Sequence, residues 1–263
     1  MTAVVQASLP TQVGLLVGRA VRRIVRQPAQ LVFPILFPLI LLGVNASGLA
    51  AATKLPGFPS ASYLDFALAI PFMQGALFAA LNGGQDLARD IQGGFLDRLA
   101  LTPMSGAALL AGQLGGALFM GIVSATIYLL VGLLFGVGIA SGVGGALVLL
   151  ALAISISFAF ACFGTFVALR AGTGEAVQGF FPLFFVLLFL SSMSLPRNLI
   201  EQDWFRFIAT YNPVSYMVEG IRSLVITGWD VQALLQAFGI AAAAIVLFLA
   251  LASRALRTRL TRT

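Results

Sequence analysis

The residues best able to do chemistry lie in one charged segment, residues 85–105, which separates two apolar runs of the chain. Its acids and bases include two adjacent pairs, Arg89 with Asp90 and Asp97 with Arg98. Carboxylate and guanidinium groups form charge-assisted hydrogen bonds with each other and with partner surfaces. A membrane chain has little reason to keep a short charged segment between two spans unless something docks there. The pattern therefore predicts a docking surface rather than a reaction centre.

Absent residue types exclude most enzyme classes. The chain has no histidine, so neither an HExxH metal motif nor a serine–histidine pair is possible. Its only lysine, Lys54, does not belong to a phosphate-binding P-loop, so the chain is not itself a P-loop ATPase. Its single cysteine, Cys162, cannot form an intrachain disulfide. We therefore predict a protein that is not an enzyme, with no catalytic site, no metal site and no cofactor of its own.

Composition places these residues in an all-α integral membrane protein. The chain has 263 residues, of which 60% are hydrophobic and only 9% charged, whereas soluble domains carry about 25% charged residues. Six spans with their loops would use most of the chain, which leaves no room for a separate soluble domain. We therefore predict a single transmembrane domain over residues 1–263. Any energy source would then lie on another chain.

Six apolar runs are long enough to cross a bilayer, which takes about 20 residues each. The predicted spans are residues 31–51, 63–84, 107–135, 146–169, 177–195 and 231–252. None of them has an ionisable residue near its middle. Proton- and sodium-coupled carriers usually place an ionisable group there, so this absence argues against an ion-driven carrier without excluding one.

Charge asymmetry predicts the topology. With the N-terminus in the cytoplasm, eleven basic residues fall on that side and four, namely Lys54, Arg197, Arg206 and Arg222, fall on the other. This agrees with the positive-inside rule for six spans with both termini cytoplasmic. The net charge of +6 then reflects membrane topology, and no nucleic-acid partner is expected.

Two amphipathic elements are predicted on the cytoplasmic side. In residues 1–30, arginines alternate with apolar residues from Leu15 onwards and Pro28 ends the helix, which suits a lateral interface helix. A plain topological anchor is the alternative. In the charged segment, the second span extends to Gln92, and a short helix follows over Gly94–Leu101 before Pro103. Its face of Phe95, Leu96 and Leu99 suits a groove in a partner, or else it lies on the membrane surface.

Residues 196–230 are too apolar for an open loop. They predict two short helices divided at Asn212–Pro213, where proline is favourable at a helix start. Glu219 and Arg222 are spaced to pair on one helix face. We expect an external re-entrant hairpin, with an ordinary surface cap as the alternative.

Three features in this order match a known pattern: the basic lateral helix, the segment Gly93–Pro103, and the segment Tyr211–Arg222 before the last span. Together they resemble the membrane subunits of type-2 ATP-binding-cassette exporters, in particular the daunorubicin-resistance-like and polysaccharide-exporter-like permeases of bacteria. The resemblance covers nearly the whole chain. It implies a permease in the bacterial cytoplasmic membrane that works with a separate ATPase, to which ATP and magnesium bind.

The resemblance also implies roles for particular residues. ATPase coupling would involve Arg89, Asp90, Gly93, Gly94, Phe95, Leu96, Asp97, Arg98 and Leu99, and the interface helix would contribute Arg19, Arg22, Arg23 and Arg26. The external gate would include Asn212, Pro213, Tyr216, Glu219 and Arg222. Candidates for the substrate pathway, on spans 1, 2 and 5 at a dimer seam, are Asn45, Phe72, Gln74, Phe78, Asn82, Phe181 and Phe185. The active unit would contain two permeases, identical or paralogous, two ABC ATPase subunits, and surrounding membrane lipid.

The phenylalanine-rich fifth span suggests an apolar or amphipathic substrate, such as a drug, a lipid or a glycolipid. Two other classes of function stay open. An ion-coupled or facilitative carrier would need no ATPase partner, and a membrane assembly subunit would transport nothing. A co-purifying ATPase would favour the exporter over both.

Overall fold

The computed structural model describes residues 8–100 and 104–260, and within them all regular structure is helical. The α-helices are α1 Leu9–Arg26, α2 Pro28–Gly48, α3 Tyr63–Ala67, α4 Ala69–Gln92, α5 Phe95–Ala100, α6 Gly106–Leu134, α7 Gly142–Ala171, α8 Gly174–Gly179, α9 Phe181–Phe189, α10 Asp203–Tyr211, α11 Pro213–Ile226 and α12 Val231–Leu260. Short 3-10 turns cover Ala50–Lys54 and Arg197–Leu199. The predicted stop at Pro103 lies outside the described residues.

In the described part of the chain, five helical segments are long and apolar enough to cross a membrane: α2, α3 with α4, α6, α7 and α12. The remaining predicted span, the fifth one at residues 177–195, is different. It forms the two short helices α8 and α9, and the helical part ends at Phe189. Pro182 lies in the first turn of α9 and has no N–H to continue the ladder. Gly174–Phe189 as one helix would be about 24 Å long, less than the ~30 Å hydrocarbon core.

Helix α4 is the centre of the bundle, because almost every residue from Ala69 to Ala80 is buried. It packs closely against α7, where Gly164 faces the α4 backbone. A Cβ on Gly164 would lie 2.3 Å from the carbonyl oxygen of Ala80, which no side chain could tolerate. Glycine at this position therefore permits the crossing of α4 and α7, in the manner of small-residue contacts in membrane bundles.

Helix α1 lies on α6 along a strip of glycines. Added Cβ atoms on Gly112, Gly115 and Gly116 would lie 2.3 Å, 2.4 Å and 2.7 Å from side-chain atoms of Leu16, Val17 and Ala20, respectively. The predicted N-terminal helix is therefore present, and one of its faces is packed against the bundle. This contact also shows that the Gly112/Gly116 pair serves helix packing.

The bundle has two ends of different character. At the basic end, α1 and α5 meet the ends of α4, α7 and α12, and the Arg259 guanidinium donates to the carbonyl of Leu169 at 2.9 Å. At the opposite end, the Tyr63 hydroxyl donates to the carbonyl of Ser194 at 2.9 Å. The elements around residues 50–66 and 190–230 therefore lie together, far along α4 from the charged segment.

Candidate functional site

Two aspartates on α4 bind two arginines on α1 at the basic end. The two terminal nitrogens of the Arg19 guanidinium, Nη1 and Nη2, donate to the two carboxylate oxygens of Asp90 at 2.9 Å and 2.8 Å. Arg23 donates to the same carboxylate at 2.9 Å and lies 3.6 Å from Asp86. Bidentate contacts of this kind are among the strongest hydrogen bonds in proteins. They join residues about 70 positions apart, so α1 and α4 are held together by charge. We call these four residues the inner cluster.

The short helix α5 is packed into this end. Gly94 turns the chain with a φ of +66°, which favours glycine, and α5 follows. The Phe95 ring lies 3.7 Å below the Arg19 guanidinium, and Leu96 is only 5% exposed. Leu99 packs against the same apolar cluster. Phe95 and Leu99 are half-buried, so the predicted apolar face is packed in part within the chain, where Leu16 of α1 and Leu109 of α6 belong to the same apolar cluster.

The other predicted residues of this end divide by exposure. Arg98, Arg22 and Arg26 are exposed, and Gly93 ends α4 in the open. Arg89 pairs with Asp86 one turn before it, at 3.0 Å. The side chain of Asp97 is outside what the structure describes. The exposed surface of α5 therefore includes Arg98 rather than its apolar side chains.

An arginine is buried at the opposite end. Arg222 on α11 is 7% exposed and donates to three backbone carbonyls, those of Phe66, Ser192 and Met193, at 2.9–3.1 Å. Its guanidinium also lies 3.4 Å over the Phe66 ring. Burial lowers the pKa of Arg222 to about 9, against the opposing attraction of Glu219, so the group is charged at neutral pH. One cation thereby joins α11, α3 and the turn after α9.

Glu219 has a different partner from the predicted one. Its carboxylate binds Arg197, with one contact at 2.7 Å and a second, closer one, and it accepts from the Ser192 hydroxyl at 2.9 Å. The expected pairing of Glu219 with Arg222 is therefore wrong, because Arg222 is directed to carbonyls. Tyr216 lies beneath Arg197, with its ring centroid 4.7 Å from the guanidinium carbon. We call Glu219, Arg197, Ser192 and Tyr216 the outer cluster.

Asn212 caps α11, the helix that carries Tyr216 and Glu219 of the outer cluster. Its side chain accepts from the N–H of Val214 at 3.0 Å and donates to the carbonyl of Leu187 on α9 at 2.6 Å. Pro213 is the first residue of α11, where its missing N–H costs nothing. The Asn–Pro pair therefore both starts α11 and attaches it to the end of the broken span.

The structure brings together only some of the predicted pathway residues. Phe78 on α4 meets Phe33 and Phe37 of α2 and Phe181 of α9, with ring centroids 5.7–5.9 Å apart. Phe185 continues this set 5.2 Å from Phe181. These five phenylalanines form what we call the aromatic ladder. The ladder follows α2 and α9, where many apolar side chains are exposed.

The remaining candidates lie elsewhere. Phe72 is buried against Tyr128, Asn45 donates to the carbonyl of Leu41 in its own helix, and Asn82 reaches towards Gln30 at the basic end. Gln74 lies one helical turn before Phe78 on α4. It is 2% exposed, and its side-chain oxygen has no hydrogen-bond partner among the described residues.

Sequence reasoning missed several residues of these clusters. Asp86 had a usable signal, because Asp86 and Asp90 are four residues apart, as are Arg19 and Arg23, so each pair shares one helix face. Arg197 also lay in a recognised segment. No sequence pattern indicated Phe66, because it accepts a hydrogen bond from Arg222 through its backbone carbonyl and not through its side chain.

The fold and these clusters define a multi-pass membrane protein with an arginine-rich end and an opposite end joined by Arg222 and the outer cluster. The family model described as ABC-2 type transporter matches residues 11–226, which include α1 to α11 and both clusters. The chain therefore belongs to the ABC-2 type transporter family, and is a permease subunit for transport rather than an enzyme. No curated protein matches the chain.

Proposed function

We propose that the chain is the membrane half of an ATP-driven exporter that moves an apolar or amphipathic substrate out of a bacterial cell. Two copies, or this chain and a paralogue, would work with two ABC ATPase subunits that bind ATP and magnesium. The observation that carries the proposal is the family match over a bundle whose charged, packed end includes α5. Both termini, with the basic end, would face the cytoplasm, as the excess of arginine there favours.

Coupling would pass from the ATPase through α5. The exposed surface of α5, with Arg98, is the proposed docking face, and the half-buried Phe95 and the buried Leu96 would carry its displacement into the bundle. The inner cluster joins α4 to α1, and glycines seat α1 on α6. These contacts support a rigid unit of α1, α4, α5 and α6 that moves when the ATPases close. Contact of α1 itself with the ATPase stays a prediction.

The aromatic ladder supports an apolar pathway along α2, α4 and α9. Its rings offer large apolar surfaces, and a second permease copy on this face would complete the pathway. Gln74 supplies a buried amide oxygen without a partner one turn from Phe78. A hydrogen-bond donor on an otherwise apolar substrate would satisfy this oxygen, which is costly to leave unpaired.

The decisive experiment is a mild-detergent purification of the tagged chain from its native membrane, with mass and stoichiometry of the complex. A P-loop ATPase at one copy per permease is the expected result. Arg98→Glu should then reduce the recovered ATPase, whereas Arg170→Glu, an equal charge reversal at another exposed site of the same end, should not.

One result would overturn the exporter proposal, and another would overturn only its docking face. A stable complex that contains no ATPase would favour an ion-coupled or facilitative carrier, or an assembly subunit. Equal ATPase recovery with both variants would leave the exporter class intact and reject α5 as the docking face.

A further inference from the structure

An all-basic cleft lies where α1 turns into α2. It has a volume of about 340 Å³ and is open to the outside. The lining residues are Arg19, Arg22, Arg23, Arg26 and Gln27. No acidic residue lines it. Four arginines of one helix face line this opening, an arrangement that repels cations and attracts an anion.

The charge of the cleft is only partly neutralised within the chain. Arg19 and Arg23 bind the aspartates of α4. Arg22 and Arg26 are exposed, and in the described part of the chain no carboxylate lies within ion-pair distance of either. Two guanidinium groups, four residues apart on one helix face, are thus available to an outside ligand. Guanidinium forks match phosphate oxygens in bidentate geometry.

The position of the cleft indicates where that anion comes from. It adjoins the first residues of α2, the first membrane span, and so lies at the level where a span enters the bilayer. The outer face of α1 also presents Leu15, 69% exposed, and Val25, 58% exposed. Exposed apolar side chains beside arginines on one helix face are typical of a helix at the headgroup and acyl-chain boundary.

We propose that this cleft binds the phosphate headgroup of an anionic phospholipid, held by Arg22 and Arg26. The acyl chains would lie beside Leu15 and Val25. The aspartates hold Arg19 and Arg23 towards α4, and so leave the outer two arginines for the lipid. A topological anchor needs only positive charge near the span, whereas four arginines line this cleft and two of them, Arg22 and Arg26, are exposed. The site goes beyond the proposed function and does not depend on an ATPase partner.

The test is native mass spectrometry of the purified full-length chain with phosphatidylglycerol, and with phosphatidylcholine as the uncharged comparison. We expect bound phosphatidylglycerol that Arg22→Gln/Arg26→Gln weakens by about 30-fold, because each arginine near an anionic lipid contributes about 1 kcal/mol. Arg22→Lys/Arg26→Lys keeps the charge and should retain most of the binding. An unchanged thermal transition of each variant would show that it folds.

Arg254→Gln/Arg257→Gln is the matched control. These two arginines are also exposed on one helix at the basic end, and their loss changes the net charge equally. Weakening by the control as large as that by Arg22→Gln/Arg26→Gln would overturn the proposal in favour of diffuse attraction. No effect of Arg22→Gln/Arg26→Gln would overturn it as well. Displacement of the lipid by inorganic phosphate at the same molar concentration would identify a site for free phosphate instead.

Discussion

The two ends of this bundle use arginine in opposite ways. In the inner cluster, Arg19 and Arg23 bind Asp90, a side chain on another helix, and Arg19 keeps 39% of its side-chain surface exposed. At the opposite end, Arg222 is buried and binds carbonyl oxygens of the backbone. Pairs of charged side chains can separate and each be hydrated. Carbonyls of a tight turn converge on a cation only while the turn keeps its conformation.

This difference in arginine contacts indicates which end of the bundle can move more readily. The inner cluster joins α1 to α4 through partly hydrated side chains, so the basic end can move as one unit without exposing unpaired buried groups. Arg222 joins α11 to a particular backbone turn and to α3, so it resists displacement. We therefore expect the basic end to be the more mobile of the two, because Arg222 holds α11, α3 and the turn after α9 together.

The largest expected effect is that of Arg222→Met, because it leaves three buried carbonyls without a donor. The cost should be about 3 kcal/mol or more, since each unsatisfied buried group costs about 1–3 kcal/mol. Thermal unfolding in detergent, followed by tryptophan fluorescence, measures this loss. Arg206→Met is the control, as Arg206 is an exposed arginine paired with exposed Asp203. Equal stability of the two variants would show that the contacts of Arg222 with the three carbonyls do not stabilise the protein.

Asp90→Asn should have the next largest effect. It removes the charge that binds Arg19 and Arg23 and should destabilise the α1 contact by about 2 kcal/mol, the range for hydrogen bonds to charged groups. Asp86→Asn should cost less, because Arg23 lies 3.6 Å from it. The same unfolding assay compares the two. A larger loss from Asp86→Asn would show that Asp90 is not the principal anchor of α1.

A smaller coupling is expected between Arg197 and Glu219, which are partly exposed. A double-mutant cycle with Arg197→Gln and Glu219→Gln should give about 1 kcal/mol, the upper range for such pairs. The Arg206 and Asp203 pair, measured in the same way, should give close to zero. If the coupling energy of Arg197 with Glu219 exceeded that of Arg19 with Asp90, the stronger ion pair would lie at the opposite end and not at the basic end.

The smallest expected effect is that of high salt, which should change the cysteine-labelling rate at the basic end and not at the opposite end. At 1 M salt the screening length is about 3 Å, so exposed charges are screened and buried ones much less. In a chain with Cys162→Ala, labelling of Leu16→Cys, on the face of α1 that packs against α6, should accelerate by about two- to fivefold. This is the range expected when salt weakens partly exposed ion pairs such as those of Asp90. Labelling of Met193→Cys, beside Arg222, should not change. Acceleration at both positions would mean that salt loosens the whole bundle.

Much of the fold followed from local patterns. Alternating arginines and apolar residues predicted α1, the glycines before Phe95 predicted a break after α4, and Asn212–Pro213 predicted the start of α11. The broken fifth span is where the structure differs most from the prediction. Its run of phenylalanine and leucine is as apolar as a true span, and Pro182, which marks the first turn of α9, was outweighed by hydrophobicity.

The candidate sites were less predictable than the helices. The charged segment was identified, but the direction of its apolar face was not, because helix periodicity shows which residues share a face and not what that face contacts. Asp86 could have been found from its spacing to Asp90. The aromatic ladder needed the packing of α2 against α4 and α9, which lie far apart in sequence.

By itself, the sequence determined an all-helical membrane protein, the segments that would be charged, and the classes of chemistry that its missing histidine and P-loop exclude. Hydrophobic length and charge are properties of a local stretch of chain, and so they can be read there. Only the tertiary structure decided that Leu96 lies inward, that Glu219 binds Arg197, and that Arg222 is held by carbonyls. Every residue has a carbonyl, so no sequence pattern marks the few that a fold brings together around one cation.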